Sequence, residues 1–407
     1  MTEVLLAIGT IVVLIVGMSG GLVGLRRLLV PNNAIDVDVN GVRHLTAQRG
    51  DALLSVLHKG GIFIPAACGG SGTCGLCRVT VTGDGIGTPQ ATEQGILSAR
   101  ERRAHVRLAC QARVRGDCAV TVPGDILSVG GGFRCTVRSA RMLAPLIREI
   151  VVDLPPDHEE DFRAGDFMQV TVPPFELDFH EIEVPEEFAT SWESEGWRSL
   201  RAGSGIEVTR AYSLANRPED AGRAVFNIRL AVPPPGREGD VPPGVVSSWL
   251  FALNPGDDIM LSGPFGDFHV QQTGREMVFV GGGVGMAPLR AMIHEELARG
   301  SERRIRYFYG ARSRANLFYG DEFSALAETH KLFSWRPTLS DPMPGDRWTG
   351  ATGFVHETLR AELSKHPAPE DCEYYLCGPP MMISAVLATL DRLGVEASAI
   401  FYDDFGA

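Results

Sequence analysis

An excess of positive charge is missing from this chain of 407 residues, which has 38 Lys and Arg against 50 Asp and Glu and a net charge of −12. This balance argues against a nucleic-acid partner bound through its phosphates. Cysteine is scarce as well, and eight cysteines are too few for a disulfide scaffold in a chain of this length. The clustering of the cysteines, rather than their number, indicates redox or metal chemistry.

Length and composition are those of ordinary folded domains. At ~150 residues per domain, 407 residues predict two or three globular units, which excludes a single small binding module. The 44% apolar, 22% charged and 8% aromatic residues supply material for several cores and argue against a disordered or fibrous chain.

A hydrophobic segment lies at the N-terminus. Val4–Leu25 carries no charge over 22 residues, enough at ~1.5 Å per residue to cross the ~30 Å core of a bilayer. A secretory signal peptide is the alternative, but no Lys or Arg precedes the segment, no cleavage site is clear, and Arg26-Arg27 follow it. We therefore predict a transmembrane helix with a stop-transfer pair over residues 1–30, and the positive-inside rule places the rest of the chain in the cytoplasm.

The remaining sequence divides by pattern into three domains. Residues 34–129 combine short strands with a Gly- and Cys-rich loop and predict a small separate domain. Residues 130–273 carry short strands at regular spacing, which predict an antiparallel β-barrel. Residues 274–407 alternate apolar strands with helical patterns and predict an α/β domain with a parallel sheet.

Four cysteines of the first domain have a spacing suited to an iron–sulfur site. Cys68, Cys74 and Cys77 form a C-x5-C-x2-C run, and Cys110 follows after 32 residues. A [2Fe-2S] cluster takes four thiolates, two per iron, and the glycines within the run favour a loop wrapped around such a cluster. A structural zinc site is the alternative, although zinc sites usually pair two short motifs and lack so many glycines.

The other charged and sulfur-containing residues near this run leave two interpretations open. Six arginines flank Cys110 and predict either a face for an acidic partner, where electrons leave the cluster, or a solvated basic surface. They are Arg100, Arg102, Arg103, Arg107, Arg113 and Arg115. Cys118 and Cys135 lie outside the cysteine pattern and are interpreted as small buried hydrophobes.

The predicted barrel contains Arg210-Ala-Tyr212-Ser213, which places three chemistries on one strand. Arg offers a fork to a pyrophosphate, Tyr a flat apolar face to a ring system, and Ser a hydroxyl near a reacting edge. By itself this is a weak pattern, so a purely structural role stays open.

The segment Gly244–Ser248 follows in the same domain and begins a predicted helix, whose N-terminus is suited to phosphate.

Gly281–Pro288 follows a predicted strand and precedes a predicted helix, the context in which a glycine turn binds a dinucleotide pyrophosphate. The segment departs from G-x-G-x-x-G because Pro288 replaces the third glycine and no acidic residue ends the next strand, so a plain strand-to-helix turn is the alternative. Cys377-Gly378-Pro379 ends another strand at the same sheet edge, where ligands of α/β sheets bind. Its alternative is a buried cysteine before a tight turn.

Together these motifs resemble the ferredoxin plus ferredoxin-reductase class of NADH-dependent reductases over residues ~34–407. A nicotinamide delivers two electrons as a hydride, a [2Fe-2S] cluster accepts one, and a flavin can do both. The resemblance implies an α+β domain of the β-grasp ferredoxin type with its cluster on the four cysteines, FAD on the barrel and NADH on the α/β domain. It also implies that Ser213 and Cys377 lie beside the reacting rings. The implied FAD contacts are Arg210, Tyr212, Ser213, Gly244, Val246, Ser247, Ser248 and a shielding Phe405, and the implied NADH contacts are Gly282, Gly283, Gly285, Met286, Ala287, Cys377, Gly378 and Pro379.

Within that class the chain resembles the F subunits of sodium-translocating NADH:quinone oxidoreductases. The resemblance rests on the N-terminal anchor, the cysteine spacing, the terminal Asp403-Asp404-Phe405-Gly406 and an insertion at about 174–204. It implies an electron-input subunit in a bacterial inner membrane, with its soluble domains in the cytoplasm and the other membrane subunits as partners. A single uncharged helix offers no ion pathway, so ion transport would belong to those partners.

The insertion has eight Asp and Glu against two Arg, and we favour docking to another subunit over a solvated excursion.

The reductase component of a multicomponent oxygenase is the alternative function, because it shares the domain order and motifs. Such components are typically soluble, so Val4–Leu25 discriminates between the two. An accessory protein without turnover would not need all three motif sets. Arg312 could pair with a 2′-phosphate, so a preference for NADH over NADPH rests on the resemblance alone.

Overall fold

The computed structural model describes residues 17–18, 34–66, 70–122, 132–158, 162–237 and 239–404. The predicted transmembrane helix, apart from Gly17 and Met18, lies outside these ranges, as do Cys68 and Phe405. Among the described residues, no helix has both the length and the apolar character that crossing a membrane requires. The chain divides by its contacts into two compact units, one of residues 1–64 and 77–128 and one of residues 65–76 and 129–407.

The first unit has the α+β architecture predicted for it. Its elements are β1 (Ile35–Val39), β2 (Arg43–Ala47), α1 (Leu53–Lys59), β3 (Arg78–Thr82), α2 (Ala91–Ile96), α3 (Ala99–Arg103), β4 (Val106–Leu108) and β5 (Cys118–Thr121). The strands form a mixed sheet of order β2-β1-β5-β3-β4, in which only β1 and β5 are parallel neighbours. Buried and less buried residues alternate along β1 and β3, as expected for a sheet with one face on a core.

A buried ion pair stabilises this unit close to Cys110. Glu93 has no exposed surface, and Arg107 is 8% exposed and donates two hydrogen bonds of 2.8 Å to the Glu93 carboxylate. Burial alone would raise the pKa of Glu93, but hydrogen bonds from Arg107 and from the backbone of Gln90 and Leu108 outweigh burial and hold that pKa below its usual value. Arg107 therefore serves the fold, whereas Arg100, Arg102, Arg103, Arg113 and Arg115 are exposed.

The second unit contains, after residues 65–76, an antiparallel sheet. Its elements are β6 (Phe133–Ala144), β7 (Ile147–Asp153), β8 (Phe167–Val172), β9 (Phe175–Asp178), α4 (Glu186–Ser194), β10 (Arg201–Ser204), β11 (Val208–Ser213), β12 (Arg223–Arg229), α5 (Val245–Ala252) and β13 (Asp258–Phe265). Six of these strands form one sheet in the order β11-β8-β13-β6-β7-β12. Its edge strands meet at a single bridge between Leu214 and Phe226. The prediction of a barrel is thus corrected in one respect, because no continuous hydrogen-bonded ladder closes this curled sheet among the residues that the structure describes.

The acidic insertion folds as part of the same core. β9 and β10 form a two-stranded antiparallel sheet, and α4 lies between them in the chain. Trp192 on α4 has no exposed surface, and its indole N–H donates a 2.7 Å hydrogen bond to the carbonyl of Pro145. Apolar residues spaced through an acidic segment therefore anchor it, while its seven glutamates remain exposed.

Replacing Trp192 tests this integration. Trp192→Ala should lower the free energy of unfolding by about 3–5 kcal/mol, because it opens a cavity and leaves the Pro145 carbonyl without its partner. Urea unfolding monitored by release of flavin fluorescence measures the change. Glu193→Ala, at the adjacent exposed position, should alter stability by no more than ~0.5 kcal/mol. Equal midpoints for the two variants would contradict the packing role of Trp192.

The rest of the second unit is the predicted α/β domain. Its elements are β14 (Met277–Gly282), α6 (Met286–Ala298), β15 (Ile305–Ala311), α7 (Gly320–Thr329), β16 (Phe333–Leu339), β17 (Ala351–Thr352), α8 (Val355–Leu363), β18 (Glu373–Gly378), α9 (Pro380–Arg392) and β19 (Ile400–Asp404). The strands form one parallel sheet of order β17-β16-β15-β14-β18-β19. β14 and β18 are neighbours, so the Gly281–Pro288 and Cys377–Pro379 motifs end side by side at one edge.

Candidate functional site

Two of the four predicted cluster ligands lie side by side in the first unit. The sulfur atoms of Cys77 and Cys110 are 3.3 Å apart, and both residues are buried. This separation suits two ligands of one metal centre. Cys74 is half-buried in its loop, and Cys68 lies outside the described residues. Gly70, Gly72 and Gly75 all have positive φ, the tight backbone that a loop around a cluster needs.

The cysteines outside the pattern are poor thiolate ligands. Burial raises the pKa of the Cys118 thiol to about 11 and that of Cys135 to about 12, so both stay protonated at neutral pH. Cys372 lies near His366 and Glu276, but the N–H of Ala368 donates to Nδ1 of His366, which leaves Nε2 to donate to Glu276. This hydrogen bonding engages the imidazole in a polar network rather than presenting a lone pair to a metal.

A matched pair of cysteine variants tests the ligand set. Cys110→Ser should reduce the iron content from about two atoms per chain to near zero, because a cluster needs all four thiolates. Iron and sulfide analysis, with the visible absorbance of the cluster, gives the result. Cys118→Ser should retain full iron; loss of iron from both variants alike would contradict the assignment.

The flavin and nucleotide motifs converge on one cavity of about 660 Å³ in the second unit, a volume typical of small-molecule sites. Segments of the antiparallel sheet, turns of the parallel sheet and Ser71 form its walls. The predicted residues that line it are Arg210, Tyr212, Ser213, Gly244, Val246, Ser247, Gly282, Gly283, Ala287, Gly378 and Pro379.

The barrel side of the cavity offers the groups that a flavin dinucleotide needs. Arg210 is exposed at the cavity and Ser213 is 7% exposed at the end of β11. Burial raises the pKa of the Tyr212 hydroxyl far above its usual value, so Tyr212 stays a neutral aromatic wall. The Asn216 side chain fixes the end of this segment, because its Nδ2 donates to the Arg223 carbonyl at 2.6 Å and its Oδ1 accepts from the Val225 N–H at 2.8 Å.

Helix α5 points its N-terminus at the same cavity. The N–H groups of its first turn have no partner within the helix, which suits a pyrophosphate. The position directly before the helix favours glycine, Gly244, because a Cβ there would lie 2.7 Å from Ser247 Oγ and 2.8 Å from the Ala231 Cβ. The Ser247 hydroxyl accepts from the Ala231 N–H at 3.3 Å and so ties the helix start to the strand segment beside it.

On the sheet side, Gly285 has a packing role. A Cβ on Gly285 would lie 2.0 Å from the Cys377 carbonyl oxygen, so the absence of a side chain allows the turn after β14 to approach the end of β18. Gly283 has a φ of +55°, a conformation that favours glycine. Glycines in this motif thus serve both the turn and the close packing of neighbouring strand ends.

Three other predicted contacts lie behind the cavity rather than in its lining. Ser248 and Met286 have no exposed surface, and the Tyr307 hydroxyl donates to the Met286 sulfur at 3.2 Å. Cys377 is fully buried directly before the lining residue Gly378, and Gly285 packs on its carbonyl. The predicted shielding residue, Phe405, lies outside the described residues, although Asp403 lines the cavity.

Sequence reasoning missed a further wall of the cavity. It consists of Asn227, Arg229, Leu230, Ala231 and Val232, which run from β12 toward α5. The available signal was an asparagine within the apolar run Ala224–Ile228. Asn227 is 4% exposed, and its Oδ1 has no hydrogen-bond partner among the described residues. An orphaned acceptor at the cavity wall fits a bound group that carries an N–H or O–H donor.

Comparison with known proteins assigns each region to a domain type. Residues 37–115 match a 2Fe-2S iron-sulfur cluster binding domain, residues 199–270 an oxidoreductase FAD-binding domain, and residues 279–387 an oxidoreductase NAD-binding domain. The first match favours the iron–sulfur interpretation of the cysteines over zinc. The three matches agree with the cofactors expected from the motifs, namely a [2Fe-2S] cluster, FAD and NADH.

The relatives cover the whole chain. It is 42% identical over 406 residues to the F subunit of the Na(+)-translocating NADH-quinone reductase of Marinomonas sp. (strain MWYL1), covering 99% of both chains. It is 42% identical over 408 residues to the protein of the same name from Methylococcus capsulatus, covering 100% of both. The chain belongs to the family of F subunits of Na+-translocating NADH-quinone reductases.

Solved structures share the fold of this member of the F-subunit family. An Amycolatopsis cytochrome P450 reductase superposes with a TM-score of 0.62 at 28% identity, covering 92% of this chain and 99% of that one. The ferredoxin reductase in carbazole 1,9a-dioxygenase superposes with a TM-score of 0.59 at 23% identity and covers 92% and 98%. The second likeness shows the fold alone.

A glycine variant tests the close approach of the two strand ends. Gly285→Ala should raise the KM for NADH at least ~10-fold, because the added methyl displaces the turn or the Cys377 carbonyl by ångström-scale amounts. NADH-dependent ferricyanide reduction measures it. Gly274→Ala, where nothing lies within 4 Å, is the control and should leave the KM unchanged. An unaltered KM in Gly285→Ala would contradict the proposed dependence of NADH binding on close packing between Gly285 and the Cys377 carbonyl.

Proposed function

We propose that this chain is the membrane-anchored electron-input subunit of a sodium-translocating NADH:quinone oxidoreductase. The observation that carries the proposal is identity of about 42% to F subunits along the whole chain, including residues 1–33. The single cavity shared by the flavin and nucleotide motifs supplies the corresponding chemistry. When bound, FAD would supply the conversion between two-electron hydride transfer from NADH and one-electron transfer to the [2Fe-2S] cluster.

Different residues of the cavity bind different parts of the two cofactors. Arg210 and the N-terminus of α5 hold the FAD pyrophosphate through a guanidinium fork and free backbone N–H groups, and Tyr212 covers the ring system. Ser213 places its hydroxyl at the reacting edge of the flavin. Gly282, Gly283 and Ala287 receive the NADH pyrophosphate, and Gly378 with Pro379 borders the nicotinamide beside Cys377. Phe405 shields the flavin ring.

The cluster ligands are Cys68, Cys74, Cys77 and Cys110, and they form the exit for electrons. Residues 1–30 anchor the chain in the bacterial inner membrane, with the soluble domains in the cytoplasm. A basic patch of exposed arginines lies in the segment that carries Cys110, and it offers a docking face for an acidic partner surface.

The insertion provides a second, acidic docking face. Seven glutamates on it are exposed while Phe179, Phe188 and Trp192 are buried, so these glutamates can meet a basic surface of another subunit. They are Glu176, Glu181, Glu183, Glu186, Glu187, Glu193 and Glu195.

Native membranes test the function as a whole. Deleting the gene should abolish a Na+-stimulated NADH:quinone reductase activity, measured at a few micromolar and at several millimolar Na+. Complementation with the chain lacking residues 1–33 should restore NADH oxidation by ferricyanide but not quinone reduction, because the flavin would no longer be held at its membrane partners. Complementation with the full chain is the control.

Two results would redirect the proposal. Quinone reduction that survives deletion of the gene would leave the reductase domains in place but assign them another acceptor, as in the reductase of a multicomponent oxygenase. Full quinone activity in the truncated chain would remove the anchoring role of residues 1–30.

A further inference from the structure

Tyr319 reaches from the α/β domain to the barrel. It precedes α7 in the left-handed conformation, with a φ of +57°, which is uncommon for a residue with a side chain. Its hydroxyl donates to Oε2 of Glu149 on β7 and accepts a 2.9 Å hydrogen bond from Nδ2 of Asn227 on β12. The Arg290 guanidinium lies over the Tyr319 ring, 4.3 Å from its centroid.

The direction of each hydrogen bond in this chain of groups is fixed by chemistry. Glu149 forms an ion pair with Arg141 at 2.6 Å, and an ionised carboxylate only accepts hydrogen bonds. The Tyr319 hydroxyl must therefore donate its one proton to Glu149, which leaves its lone pairs to accept. Of the two ends of the Asn227 amide, only the NH2 can donate to them. Burial raises the pKa of Tyr319 far above its usual value, so the phenol keeps its proton at all physiological pH values.

This arrangement determines where the Asn227 carbonyl oxygen points. With Nδ2 committed to Tyr319, the buried Oδ1 is left without a partner among the described residues, and Asn227 is one of the residues that line the 660 Å³ cavity. The bridge between Leu214 and Phe226 puts Ser213 and Asn227 at facing positions of adjacent strands. Their side chains share the outer face of the sheet, because Leu214 and Phe226 are buried in its core.

We propose that Asn227 is a positioning residue for hydride transfer, with Tyr319 and Glu149 orienting its amide so that Oδ1 accepts from an N–H donor of the ring bound beside Ser213. The inference rests on the proposed use of this cavity by FAD and NADH. Two rings offer such a donor, the flavin through its N3–H and the nicotinamide through its carboxamide. The α/β domain, through Tyr319, thereby orders a residue of the barrel at the point where the two cofactors meet.

The first experiment uses the purified full-length chain and NADH-dependent ferricyanide reduction, so it does not depend on quinone or Na+. Tyr319→Phe should lower kcat/KM for NADH by about 10-fold, because an unrestrained amide samples the orientation that offers no acceptor. Tyr374→Phe is the matched control, since its hydroxyl donates to the Pro369 carbonyl at 2.7 Å and does not line the cavity. That variant should keep the wild-type value.

The second experiment removes the amide. Asn227→Leu should also lower kcat/KM by about 10-fold, and the double variant with Tyr319→Phe should be no worse than Asn227→Leu, because both changes break one chain of hydrogen bonds. If the flavin supplies the donor, FAD affinity falls while the KM for NADH is unchanged. If the nicotinamide supplies it, the KM for NADH rises while FAD content is unchanged.

Three results would overturn the proposal. They are FAD affinity and kcat/KM within about twofold of wild type in Asn227→Leu, additive losses in the double variant, and an equal loss in Tyr374→Phe. Failure of the sodium-dependent quinone assay would leave these measurements unaffected, so the two proposals fail separately.

Discussion

The guanidinium of Arg290 joins the barrel to the α/β domain, and the shared cavity depends on that link. Arg290 is 4% exposed; it donates to both oxygens of Glu322 at 2.6 and 2.8 Å and to the Ala215 carbonyl at 2.6 Å. Burial alone would lower the pKa of Arg290, but Glu322 outweighs it, so the charge is retained. A buried cation is tolerated only when its donors are satisfied, which makes this contact geometrically demanding.

Because Ala215 follows Ser213 by two residues, the contact sets the distance between the flavin strand and the nucleotide helix. Arg290 lies on α6, directly after the glycine turn, so one side chain relates both motifs. Glu322 completes the arrangement. Its pKa falls to about 2, since hydrogen bonds from His294 and Arg290 outweigh the effect of burial. Its stabilisation is therefore complete above about pH 4.5 and declines only as the pH falls toward 2.

Burial also distinguishes the charge of Arg107 from the charges of the insertion. Arg107 forms a buried ion pair with Glu93. In the insertion, by contrast, the glutamates are exposed while Trp192 and Phe179 lie in the core. The charge of Arg107 is thus used within the fold, whereas the exposed glutamates of the insertion are available for docking. An insertion whose sequence indicates an acidic loop is thus a folded part of the domain, because a few buried aromatic residues stabilise it.

Local sequence determined much of this protein. Cysteine spacing, the Arg-x-Tyr-Ser strand and the glycine turn were recognisable because each motif lies within one short segment, and the strand and helix predicted on either side of the glycine turn are β14 and α6. The tertiary structure alone decided that Gly285 packs on the Cys377 carbonyl, that Met286 lies in the core, and that Asn227 borders the cavity. These outcomes depend on which distant strands become neighbours, as when the Leu214–Phe226 bridge brings Asn227 opposite Ser213. Such pairing is set by long-range packing, to which no single segment of sequence corresponds.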